Sequence, residues 1–164
     1  MKPRPEPVQV VKQRRDAALQ RLVAGVPYIQ FLDIRIDRRG DELTAIMPYA
    51  DKLIGNPVLP ALHGGVTSAF LEVTGIVELS WAMIWEDIES GKLSEDSPRI
   101  ALPKTIDFSV DYLRTGLPRD AYARARVNRF GRRYASVSVE AWQDNRARPF
   151  IQANGHFLMP RRDG

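Results

Sequence analysis

Leu62-His63-Gly64-Gly65-Val66-Thr67-Ser68-Ala69-Phe70-Leu71-Glu72 opens the longest apolar-rich run in the sequence, which continues to about Trp85. Apolar residues fall on nearly every side of a helix drawn over 63–85, so that helix has no face to turn to water and must be enclosed by other elements. Two glycines at its mouth let backbone approach a ligand closely. The first-turn amides of a helix lack internal partners, and the helix dipole makes the space before them favourable for negative charge. Such amides can hold the oxyanion that develops in acyl transfer. Glu72 lies nine positions after His63, with Ser68, Ala69, Gly75 and Ile76 one turn away. A carboxylate in such small, apolar surroundings is costly unless it is hydrogen-bonded or paired, and such groups are candidates for catalysis. From spacing alone, Glu72 reads equally as a base and as one half of a structural hydrogen bond. His63 reads as a capping residue or as part of the site, and His156, inside a terminal strand, reads as structural.

On the N-terminal side, residues 1–7 alternate proline with charge and read as an extended arm. Residues 8–23 carry Val10, Val11, Ala17, Ala18, Leu19, Leu22 and Val23 at helical spacing, with Lys12, Arg14, Arg15 and Arg21 between them. That pattern predicts a basic amphipathic helix, stopped by Gly25 and Pro27. Residues 29–37 and 42–49 read as two strands joined by a turn at Arg39-Gly40-Asp41, and 50–62, with Gly55, Pro57 and Pro60, as a loop. Beyond the long helix, 87–98 is polar and reads as a loop. Four strand-like runs then follow, at 100–113, 121–130, 134–143 and 150–159, separated by turn residues at Gly116-Leu117-Pro118, Gly131 and Asp144-Asn145. Val137, Val139 and Ala141 alternate with Ser136, Ser138 and Glu140, the signature of a sheet with one face on a core. Helix, two strands, buried helix and four strands make an α+β arrangement in which an antiparallel sheet covers the central helix.

The 164 residues fit one domain that buries a core without staples. With no cysteine, thiol nucleophiles, disulfides and cysteine-based metal sites are excluded. No apolar run reads as long enough to span a membrane, and the opening Met1-Lys2-Pro3-Arg4 lacks the apolar core of a secretory signal, so the expected location is the cytoplasm. The net charge of +4 suits a solvated surface first, and otherwise nucleic acid, an acidic membrane or a polyphosphate ligand; neither nucleic acid nor membrane is the expected partner. Arg129, Arg132 and Arg133 flank the Gly131 turn and read either as phosphate contacts or as a solvated hairpin tip.

The pattern Leu-His-Gly-Gly, with a carboxylate nine residues after the histidine on a long apolar helix, resembles the phenylacetate-type (PaaI-like) thioesterases of the hotdog superfamily. Thr105-Ile106-Asp107-Phe108-Ser109-Val110-Asp111-Tyr112-Leu113-Arg114 resembles that family's strand after the central helix, and Arg129-Phe130-Gly131-Arg132 part of its next hairpin. The likeness runs over 27–159. It implies a hotdog fold, a curved antiparallel sheet wrapped around the long helix, over 27–164, with the arm and amphipathic helix at 1–26 outside it. It implies hydrolysis of an acyl-CoA thioester, with Glu72 as general base or nucleophile, an amide of Gly64 or Gly65 polarising the carbonyl, and His63 placing the thioester. Asn56, Ser68, Arg129, Arg132 and Arg133 are the candidate substrate contacts. It implies no metal or redox cofactor, coenzyme A entering only with the substrate, and a homodimer or homotetramer with sites at the subunit interface. Pro57 and Pro60 stand where many family members have asparagine and glycine, and Ile76 where one branch has a hydroxyl. Two rival functions are a non-catalytic acyl-CoA sensor, whose basic helix serves a partner or nucleic acid, and an acyl-thioester dehydratase or hydratase.

Overall fold

A computed structural model of the chain describes residues 6–93 and 100–161. The run that opens at His63 is a helix, α3 (Gly64–Glu89), with His63 as its N-cap. It extends past Trp85, where the sequence suggested its end, because no glycine or proline intervenes before Ser90 and Gly91. Gly91 takes a left-handed φ of 69°, which glycine adopts without steric cost, and the helix stops there. The remainder of the expected loop, 94–99, lies outside the described residues, as do residues 1–5 of the arm. By length and composition α3 could cross a bilayer, contrary to the expectation from sequence, but 67% of its most apolar stretch is buried in the fold. Its apolarity serves a protein core.

Six antiparallel strands enclose it: β1 (Arg35–Arg39), β2 (Glu42–Met47), β5 (Lys104–Tyr112), β6 (Ala121–Phe130), β7 (Tyr134–Trp142) and β8 (Ile151–Leu158), in the spatial order β1-β2-β6-β7-β8-β5. Alternation puts Ala45, Met47, Ala121, Ala123, Val137, Val139, Ala141, Ile151, Ala153 and Phe157 on the buried face. Many are alanines, and the helix supplies Gly75 opposite Val137, where an added Cβ would come within 3.1 Å of a Val137 methyl. Small residues on both sides let helix and sheet approach closely. This is the hotdog fold, α+β, with the sheet curved around the central helix.

Helix α1 (Val8–Ala24) forms as expected and closes another side of α3, burying Ala18, Leu19, Leu22 and Val23 in the same core as the sheet. Its arginines are engaged within the chain. Arg14 bonds Glu6 and the Ile88 carbonyl, Arg15 pairs with Glu89 and Asp41, and Arg21 also has a partner.

The first expected strand, 29–37, begins as helix and turn. Pro27 occupies the first turn of α2 (Pro27–Phe31), where its missing N–H costs nothing, and Asp33 turns the chain with φ 54°. Only then does β1 begin. The β1–β2 turn at Gly40, φ 64°, is as expected. The expected loop before α3 contains a 3-10 turn (Asp51–Leu53) and a small hairpin, β3 (Ile54–Asn56) with β4 (Ala61–Leu62).

Two features of β5 bear on the site. It lies at the sheet edge beside β8, with its other side unpaired. It also carries a bulge: Thr105 stands opposite Phe157 and Asp107 opposite His156, so Ile106 is one residue extra.

Candidate functional site

The β3–β4 hairpin delivers the chain to α3. The Leu62 amide donates to Gly116 O at 2.9 Å and the His63 amide to Leu53 O at 2.8 Å, so the helix entry is fixed by backbone on both sides. His63 is exposed, and its ring lies against Gly55 and Gly65, where added Cβ atoms would come within 2.8 and 2.9 Å of ring carbons. Its Nδ1 accepts from the Gly65 amide at 2.9 Å. An accepting Nδ1 places the proton of the neutral ring on Nε2. The Gly65 amide is thereby engaged. The Gly64 amide has no acceptor among the described residues. Of the two glycines singled out in the sequence, Gly64 alone keeps a free first-turn N–H.

Glu72 sits two turns further along the same face of α3, with Ser68 between, one turn from each. Its carboxylate is half-buried and accepts from the Thr105 hydroxyl of β5 at 2.5 Å. Ser68 makes no hydrogen bond to any described residue. Thr74, the other nearby hydroxyl, is buried and bonded back to Phe70 O at 2.7 Å, so it is not available. Asn56 is occupied locally: its Oδ1 accepts from the Val58 and Leu59 amides at 3.1 and 3.2 Å and holds the turn between β3 and β4. Only its amide nitrogen is left for a ligand.

Tyr112 completes the entry. Its hydroxyl donates to Gly64 O at 2.9 Å, and its ring would be 3.2 Å from a Cβ at position 64, so a side chain there would have to displace the ring by a few tenths of an ångström. Edge strand β5 thus touches α3 at both ends of the face, Tyr112 at Gly64 and Thr105 at Glu72. Neither contact has a local sequence signal, because both arise from topology. His156 faces Asp107 on the outer side of the sheet, 3.7 Å apart and away from this face.

Arg129, Arg132 and Arg133 are exposed at the β6–β7 tip. The structure does not bring them to His63. The cross-strand row Thr105–Phe157–Ala135–Phe130 places them at the Glu72 end, three strands from β5 at Arg129, roughly 14 Å across the sheet. Arg133 lies over the Tyr134 ring, and the side chains of Arg129 and Arg132 have no partner among the described residues. Among the described residues, no group of three or more histidines and carboxylates converges as a metal site.

A model of the thioesterase superfamily matches residues 59–149, from the β3–β4 turn into the β7–β8 loop, and the chain belongs to that superfamily. Solved structures agree over nearly the whole length. A Chromobacterium violaceum protein is 30% identical, with 93% of this chain and 98% of that one covered and a TM-score of 0.62. A Shewanella oneidensis protein related to the thioesterase superfamily has a TM-score of 0.71 at 23% identity, covering 92% and 98%. A Bacillus halodurans protein crystallised with CoA has a TM-score of 0.61 at 18% identity, covering 98% and 99%. No curated protein matches the chain.

Glu78, six positions after Glu72 on the same helix, was not singled out in the sequence, although the argument that a carboxylate is costly in an apolar helix applies to it equally. Burial pushes its carboxyl up from the ordinary 4.5 to about 7. It has no hydrogen bond or ion pair to a described residue. Because its folded value is raised, the folded state holds the proton more tightly than the unfolded chain. The associated stability is present below pH 4.5 and is lost as pH rises towards 7. Glu78→Gln should therefore melt like the wild type near pH 4 and higher than it at pH 8. The gain corresponds to about 3 kcal/mol at most. Equal melting temperatures at pH 8 would show that the carboxylate ionises there without cost.

Proposed function

We propose that the protein hydrolyses acyl-CoA thioesters. The observation that carries this reading is one face of α3 that presents a free helix-start amide, at Gly64, and a carboxylate with one oxygen uncommitted, at Glu72. The thioester carbonyl accepts from the Gly64 N–H, where the helix dipole favours the charge that develops on oxygen. The Nε2–H of His63 lies at the same entry and serves the carbonyl or the departing sulfur. Glu72 takes a proton from the attacking water, or attacks the carbonyl carbon itself. The carbon–sulfur bond then breaks, and the thiolate takes up a proton; where Glu72 attacks, water then hydrolyses the acyl–Glu72 anhydride to free acid and restores the carboxylate. CoA in the Bacillus halodurans relative supports a CoA ester as the substrate.

The two groups do not serve one thioester within a single chain. Eight residues of helix separate them by about 12 Å, and the Gly64 N–H points further away, beyond the helix start. A symmetric pair of chains joined along the unpaired edge of β5 brings the Gly64 end of one helix towards Glu72 of the other. The working unit in this reading is a homodimer, with two such pairs making a tetramer. Arg129 and Arg132, which lack partners, and Arg133 then receive the phosphates of CoA. The sensor reading loses its main feature, because the arginines of α1 are engaged within the chain.

Glu72→Gln should lower kcat by roughly 10²–10⁴-fold while KM changes little, since it removes the basic oxygen and keeps the shape. The assay is thiol release from acetyl-, hexanoyl-, palmitoyl-, benzoyl- and phenylacetyl-CoA, run beside a thermal melt. A folded variant with wild-type turnover would remove Glu72 from the mechanism. Gly64→Pro deletes the free N–H at a position where proline suits the helix backbone, the exposed Tyr112 ring giving way by a few tenths of an ångström. Mixing unfolded Glu72→Gln and Gly64→Pro chains and refolding them should restore about one quarter of wild-type activity, because each mixed dimer rebuilds one complete site. No recovery would mean that both groups act from the same chain. Neutralising Arg129, Arg132 and Arg133 together should raise KM for the CoA ester and spare kcat, a contact equal in ground and transition states. An unchanged KM would leave these residues as surface charge.

A further inference from the structure

We propose that Thr105 is the residue that positions Glu72, and that the bulge at Ile106 is what aims it. This rests on the assignment of Glu72 as base or nucleophile given above. The Thr105 hydroxyl donates to Glu72 Oε1 at 2.5 Å, and Glu72 has no other hydrogen bond or ion pair to a described residue. One oxygen is held and the other is left to act on water or on the carbonyl. A β-branched side chain on a strand has few rotamers, so the donor is itself rigid.

The register explains how threonine comes to be there. Phe108 and Val110, half-buried, and Tyr112 lie on the inner face of β5, Phe108 opposite Gly155 and Val110 opposite Ala153. Strict alternation back from these would turn position 106 inward, where isoleucine has nothing to donate. The extra residue of the bulge shifts the phase by one. Thr105 then faces inward opposite Phe157, and Ile106 is left 55% exposed. Exposing a large apolar side chain on an edge strand has a cost, and the return is a hydroxyl at the carboxylate. Bulges next to active sites commonly re-aim a side chain in this way. At the other end of the strand, Tyr112 holds Gly64 by its carbonyl, so β5 fixes both ends of the catalytic face.

The experiment compares Thr105→Val, Thr105→Ser, Glu72→Gln and the double variant Thr105→Val/Glu72→Gln, using the CoA ester of the above panel that turns over fastest. Thr105→Val should lower kcat about 10- to 100-fold, the scale for a catalytic group displaced by about an ångström, with KM within about twofold. Thr105→Ser, which keeps the donor, should recover most of the loss. The double variant should be no slower than Glu72→Gln alone, because the hydroxyl has nothing left to position. Wild-type turnover in Thr105→Val, a Ser variant as slow as the Val variant, or a further drop of the same size on the Glu72→Gln background would each overturn the proposal. If Thr105→Val melts below the assay temperature, Thr105→Ala against Thr105→Ser makes the same comparison. Should Glu72→Gln itself turn over normally, the assignment of Glu72 has failed and the role of Thr105 fails with it. That result is distinct from slow Glu72→Gln beside normal Thr105→Val, which overturns the positioning role alone.

Discussion

Helix α3 is apolar around almost its whole circumference, and this one constraint organises the chain. An amphipathic helix needs one cover; this one needs several. The sheet covers the side of Gly75, and α1 covers another with Leu19, Leu22 and Val23. Close cover requires thin surfaces, which is why the inner face of the sheet has alanine at 121, 123, 135, 141 and 153. Each CH₂ buried there contributes about 0.8 kcal/mol, so a helix this apolar cannot be released to solvent without losing the core.

The same constraint makes the candidate site. A helix buried along its flanks still has polar ends, and its first amides must meet a capping group, water or a ligand. His63 caps one of them and leaves Gly64 open. The open amide lies beside an edge strand rather than in the middle of the sheet, so it remains reachable. Tyr112 packs this closely on Gly64 because position 64 has no side chain. Packing the helix and leaving its entry usable are therefore one arrangement of residues.

The central helix and five of the six strands were legible in the sequence, because those periodicities are strong and the breakers between strands are unambiguous. The first strand was misread because Ile29, Leu32 and Ile34 are buried around a short helix and turn, and a short apolar run does not separate that from a strand. His63, Gly64 and Glu72 are visible as a motif and lie in the N-terminal third of α3, with Glu72 two turns from the helix start. The loss of the Gly65 amide to His63 was not visible, since it depends on which way the ring turns. Thr105 lies in a strand that the sequence does reveal, but nothing in its local sequence marks a role. Its partner is 33 positions away, and its orientation depends on a bulge that alternation alone does not reveal.

Two of the carboxylates on α3, Glu72 and Glu78, lie within its apolar stretch. Glu72 and Glu78 are both partly buried, and both are flanked by small or apolar residues in sequence. Their difference lies in what the surrounding strands offer them. Glu72 faces β5, which supplies a hydroxyl donor, and it lies on the face that also carries the free amide. Glu78 projects from a different side, six residues or more than one and a half turns on, and receives no donor from any described residue. Desolvation acts on it unopposed and holds its proton to about pH 7. A perturbed carboxyl is often read as the mark of an active site. Here the perturbation of Glu78 comes from burial without partners, and the arranged geometry belongs to Glu72. A base must be aimed as well as available, and in the proposed reading Glu72, held by Thr105, is the carboxylate that is aimed.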